Sequence, residues 1–159
     1  MSWVKSLLGF SKASLNIHEQ YKSFIVNGEL YIPNTKNEEK KCLFIDCNLS
    51  FELGPDISSY AVKIANLLYD PDQTNMEELI IKITPNLKFE KYKGRNMDNE
   101  KVQGFCFYEK GVCYLFQLPP DQGKKATDLE SYMTQLMFEV RTGKSSKSIP
   151  KENLTKLCP

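Results

Sequence analysis

Residues able to carry chemistry are few in this chain, and they are far apart. His18 is the only histidine and sits in the polar stretch KASLNIHEQ. Nucleophilic hydrolysis needs a base paired with a serine or cysteine and oriented by a third group, and no such spacing surrounds His18. No G-x-S-x-G occurs, and the acidic residues are scattered without a D-x-D pair. The cysteines are Cys42, Cys47, Cys106, Cys113 and Cys158, an odd number without a C-x-x-C. The spacings Cys42–Cys47 and Cys106–Cys113 do not fit zinc-ligand pairs. Four of the cysteines lie in apolar, strand-like runs, where a reduced thiol packs as a small hydrophobe. Cys106 and Cys113 are the thiols that a cysteine-nucleophile chemistry would use. Thr142-Gly143-Lys144-Ser145 ends like a phosphate-binding loop, but Phe138 stands where its first glycine must be. No catalytic residue, metal or cofactor is expected.

The basic residues offer a second kind of chemistry. Lys88, Lys91, Lys93 and Arg95 fall within KFEKYKGR. Clustered cations of this kind can hold a phosphate or an inositol headgroup, which makes weak binding of anionic lipid an alternative function. The interleaved Glu90 fits an ordinary solvated strand face equally well. Lys124 and Lys125 precede the last strong helical pattern, and Arg141, Lys144, Lys147 and Lys151 follow it. Over the whole chain, 21 Lys and Arg stand against 20 Asp and Glu, so no global field attracts nucleic acid. Phe105, Phe107, Tyr114 and Phe116 alternate as a core face does, not as an exposed stacking platform. Neither nucleic acid nor a small-molecule substrate is expected as a partner.

These side chains must be positioned by a succession of strands. From Tyr21 the apolar period is two. KSFIV, Asn27-Gly28 and ELYIP predict a hairpin, because Asn-Gly readily supplies two positive φ angles. KCLFID and NLSFEL read as two strands or one bulged pair. YAVKIANLLY and ELIIKIT follow, the latter with Leu79, Ile81 and Ile83 on one face. LKFEKY alternates apolar with charged residues, and GFCFYE and VCYLFQL flank a tight turn at Lys110-Gly111. After Pro119-Pro120 the period becomes 3.6. Thr127-x-x-Glu130 predicts a capping box at a helix start. Leu129, Tyr132, Met133, Leu136 and Val140 then form an apolar stripe, and Gly143 suits the helix end. At 159 residues and 41% hydrophobic content, one domain with a real core is expected. About seven strands and then a helix give an α+β, mainly β fold: a seven-stranded antiparallel barrel or sandwich closed by a C-terminal helix. The absence of βαβ alternation excludes a doubly wound sheet.

The N-terminal MSWVKSLLGF places Trp3, Val4, Leu7 and Leu8 at helical spacing. It reads as a lid on the domain's own core or, alternatively, as an interfacial membrane anchor. It lacks the pattern of a secretory signal, which makes a cytoplasmic location the expectation.

The order of these elements resembles a pleckstrin-homology (PH-like) domain. Phe138-Glu139-Val140-Arg141 with Gly143-Lys144-Ser145-Ser146 closes the helix. Together with the run KCLFIDCNLSFEL ahead of YAVKIANL, it resembles the N-terminal region of vacuolar import and degradation proteins of the Vid twenty-seven type. The resemblance implies a non-enzymatic, cytoplasmic protein-interaction module of a larger factor in vesicular delivery for degradation. It assigns no binding residue. On this reading residues 1–14 are an apolar segment, 15–143 the PH-like domain and 144–159 a polar tail.

Overall fold

The computed structural model describes residues 17–33, 40–73 and 75–143. The expectations for 1–14 and 144–159 lie outside these residues. A short helix, α1 (Ile17–Ser23), leads into seven strands: β1 (Ile25–Pro33), β2 (Lys40–Glu52), β3 (Ala61–Asn66), β4 (Glu78–Lys82), β5 (Lys88–Arg95), β6 (Lys101–Glu109) and β7 (Val112–Gln117). A 3-10 turn, Ile57–Ser59, precedes β3, and the helix α2 (Gly123–Thr142) ends the fold. All strands pair antiparallel in the order β4-β3-β2-β1-β7-β6-β5. This is the seven-stranded antiparallel sheet with a C-terminal helix expected of a PH-like domain. β4 and β5 end the sheet and share no ladder.

β1 is the corner of the sheet. It pairs with β2 along its whole length but with β7 only over Glu29–Tyr31. The predicted Asn27-Gly28 hairpin is not formed, and β1 runs straight through the pair as one strand. Two features override the turn preference. A Cβ on Gly28 would stand 2.5 Å from the Gln117 carbonyl oxygen and 2.7 Å from the Phe116 ring. The glycine therefore admits β7, and the register with β2 shifts just beyond it. The Asn27 side chain donates across to Asp46 at 2.7 Å and to the Cys47 carbonyl at 3.0 Å. The turn at Lys110-Gly111 does form, with φ of 50° and 79°.

The inner face of the curled sheet carries Leu30, Phe44, Leu49, Ile64, Ile81, Phe105, Phe107 and Phe116, all buried. α2 fills the remaining opening with Ala126, Leu129, Met133, Leu136 and Met137, and Val140 packs at the margin. The helix begins at Gly123, not Thr127. Thr127 is an interior residue whose hydroxyl donates to the Gly123 carbonyl at 3.0 Å, so the capping box does not exist. Its C-terminus agrees with expectation: Gly143 has φ 72°, and its N–H donates to the Glu139 carbonyl. Glu139 of the FEVR motif is fully buried, and the Tyr60 hydroxyl donates to its carboxylate at 3.3 Å. That motif residue serves the core. α1, which lies in the stretch read as a polar lead-in, adds Tyr21. Phe24, just after it, stacks on Phe51 and meets Tyr132 edge-on at 5.1 Å.

Candidate functional site

The sheet positions a row of side chains on its outer face at the β1–β7–β6–β5 half. Cα pairing aligns Cys42, Tyr31, Leu115, Cys106 and Glu90 across five strands. The next row is Glu29, Gln117, Gly104 and Tyr92. Gly104 carries no Cβ because the Phe116 carbonyl of β7 occupies that space. Tyr92 lies along its own strand over Gly94, where a Cβ would strike the phenol ring. Lys40 reaches across from the start of β2. Its Nζ donates to the Tyr92 hydroxyl at 2.8 Å and to the Gln117 amide oxygen at 3.4 Å. The same ammonium stands 4.8 Å from the Tyr92 ring centre and 5.7 Å from that of Tyr31, a cation–π arrangement.

These groups wall a cleft of about 310 Å³, lined by Tyr31, Lys40, Arg95, Asn96, Met97 and Gln117. Gln117 is buried, whereas Met97 is fully exposed at the rim. The Tyr31 hydroxyl donates to Glu29 at 2.6 Å. Burial, and then this hydrogen bond to a carboxylate, push the Tyr31 phenol above its usual range. Apolar walls with two cations and two side-chain amides can seat an extended segment whose polar groups need fixed partners.

Cys42 and Cys106 on this face lack the lowered pKa of an activated thiol. Burial pushes Cys106 up to about 12, with the adjacent Cys113 thiol contributing, and burial also raises Cys42. A nucleophilic cysteine needs the opposite shift. Among the described residues only Cys47 is a fully buried core thiol: it donates to the Gly28 carbonyl and is pushed up to about 12, mainly by burial. The expectation of four core thiols is corrected accordingly, since Cys42 is exposed and Cys106 and Cys113 are half-buried. Among the described residues, no three His, Cys, Asp or Glu side chains converge as a metal would require. His18 belongs to the short helix α1.

The four predicted basic residues do not form one cluster. Alternation along β5 puts Lys88 and Glu90 on the outer face, where the Tyr108 hydroxyl donates to Glu90. Lys91 lies on the inner side and pairs with Glu130 of α2 at 3.5 Å. Lys93 and Arg95 are brought together, and Lys101 joins them as the register partner of Arg95. These three cations, with Gly94, Val102 and Gln103, line a recess of about 510 Å³ that contains no carboxylate. The Arg95 guanidinium also donates to the Asn99 carbonyl at 2.8 Å, which fixes its position. Lys101, Lys40, Tyr31 and Gln117 escaped sequence reasoning. Their apolar or charged neighbours gave no periodic signal, and only strand register unites them.

No family model matches the chain, and no curated protein does. It is similar to the solution structure of the Dm DCP1 EVH1 domain in complex with the XRN1 DBM peptide. That similarity has 12% sequence identity and a TM-score of 0.46, and it covers 84% of this chain and 90% of that chain.

Proposed function

We propose that the chain is a non-enzymatic protein-interaction module that seats a short segment of a partner protein in the outer-face cleft. The observation that carries this is Lys40, held between two tyrosine rings and a buried amide. Such an ammonium is placed in advance to receive a carboxylate or a main-chain carbonyl, so little side-chain ordering remains to be done on binding. Tyr31 and Met97 supply the apolar contact that a peptide side chain needs, and Arg95 supplies a second donor set. The resemblance of the FEVR stretch to vacuolar import and degradation proteins supports a wider setting within the same proposal. That setting is a larger cytoplasmic factor in delivery for degradation.

Panning a random-peptide display library against the full chain tests this reading. Enriched peptides should combine an acidic residue with an aromatic or aliphatic one and bind at roughly micromolar affinity. Lys40→Glu and Met97→Asp should each weaken them about tenfold or more, with unchanged circular dichroism. No enrichment, or an affinity that neither variant lowers, refutes the reading.

A second reading has its own observation, the recess of Lys93, Arg95 and Lys101 without a carboxylate. It would take a phosphorylated headgroup, with Arg95 as a fork and the two lysines as point charges. Co-sedimentation with phosphoinositide-containing liposomes at about 0.1 M salt decides it. No pelleting ends this alternative.

A further inference from the structure

A different end of the sheet carries an apolar surface that the cleft does not use. Ile45, Leu67, Leu68 and Met76 are 65%, 49%, 57% and 45% exposed, and Tyr69 is also exposed. Hydrogen bonds gather them. The Leu67 N–H donates to the Asp46 carbonyl next to Ile45, and the Asn66 amide donates to the Met76 carbonyl at 2.9 Å. The loop that carries Leu67, Leu68, Tyr69 and Met76 has one sign of charge. Between Lys63 and Lys82 the sequence contains Asp70, Asp72, Glu77 and Glu78 and no basic residue. Glu78 is taken by Lys63. Asp70, Asp72 and Glu77 are the acidic residues beside the exposed Leu68, Tyr69 and Met76 in the chain, and Asp46, which accepts from Asn27, adjoins Ile45. Apolar surface of this extent on a domain marks a contact site.

We infer that this surface receives the chain's own N-terminal segment, residues 1–16. The match is chemical. Trp3, Val4, Leu7, Leu8 and Phe10 provide apolar anchors, while Lys5 and Lys12 provide the only charged side chains before Glu19. An apolar, basic segment complements an apolar, acidic-bordered surface in both respects. Reach permits the contact. α1 leads into β1, whose Ile25 pairs with Ser50, and Asp46 lies four residues further along β2. That step and the length of α1 together span about 25 Å, whereas 16 residues can extend to about 50 Å. Tethering also raises the effective concentration of the segment, so weak contact suffices. The surface shares no residue with the outer-face cleft, so the two inferences stand or fall separately.

Trp3 is the only tryptophan, which makes the full chain its own reporter. Its emission and its quenching by acrylamide and iodide should be compared with those of the synthetic peptide 1–16. The expected result is a blue-shifted, quencher-protected Trp3 in the full chain. Leu68→Asp should return both readings to the peptide values, and so should the double variant Lys5→Glu/Lys12→Glu, which leaves residues 17–143 untouched. A Trp3 as exposed as in the peptide, or protection that survives both variants, overturns the inference. Protection lost on dilution together with a dimer mass overturns it in favour of a second copy. Protection seen only with anionic vesicles overturns it in favour of a membrane surface.

Discussion

Leu136→Ala is the sharpest test of α2 as the element that closes the sheet. Leu136 is fully buried, among Leu129, Met133 and Met137 of its own helix and the sheet's inner face. The substitution deletes three carbon groups from a water-excluded site, which alone costs about 2.4 kcal/mol in transfer free energy. The void left behind adds to this, because the surrounding strands are fixed by ladders on both sides and collapse only in part. A total of about 3–4 kcal/mol follows. With a urea slope of about 1–3 kcal/mol/M, the unfolding midpoint should fall by about 1–4 M at unchanged slope. Ser131→Ala, at an exposed position of the same helix, should stay within about 0.5 kcal/mol. Equilibrium urea unfolding followed by circular dichroism measures both variants. A Leu136→Ala loss below about 1 kcal/mol would show that this helix face is not packed as described, and the reasoning from helix to closed core would fail.

Gly28→Ala should cost about 3 kcal/mol in the same urea assay, because β7 backbone and the Phe116 ring occupy the space of the new methyl; a neutral result would refute the close approach of β1 and β7. Gly143→Ala meets open space but a φ of 72°, so thermal unfolding should show a loss of about 1 kcal/mol, and an unchanged midpoint would deny the left-handed cap. Cys47 and Cys106 are pushed up to about 12 from an ordinary 9.0, chiefly by burial. Their thiols ionise first in the unfolded chain, so stability should be full below pH 9, decline between pH 9 and 12 and level off above. Urea unfolding across that window checks the sign, and stability that rises through it would contradict the burial of these thiols. Native-state alkylation by iodoacetamide should leave Cys47 unmodified while exposed Cys42 reacts, and equal rates would place Cys47 outside the core.

Local patterns carried most of the fold. ELIIKIT put Leu79, Ile81 and Ile83 on the inner face, as its alternation required, and the α2 stripe buried Leu129, Met133 and Leu136. The turn at Lys110-Gly111 formed because its neighbours impose nothing against it. Asn27-Gly28 has the stronger turn preference and yet lies within a strand. There the approach of β7 needs a residue without a side chain, and the asparagine side chain has partners on β2. Thr127-x-x-Glu130 has the spacing of a cap, but a further helical turn precedes it. The register of β5 split the four predicted cations between two faces and added Lys101 to Lys93 and Arg95.

What the amino-acid order determined by itself is what depends on neighbours within a few positions: the strand and helix periods, the Gly143 stop and the near-neutral charge. The tertiary structure alone decided which distant residues share a surface. Lys40 is 52 positions from Tyr92 and 77 from Gln117, yet it bonds to both. Strand order sets such meetings, and strand order follows from how an entire sheet buries its inner face, a property that no short stretch of sequence encodes.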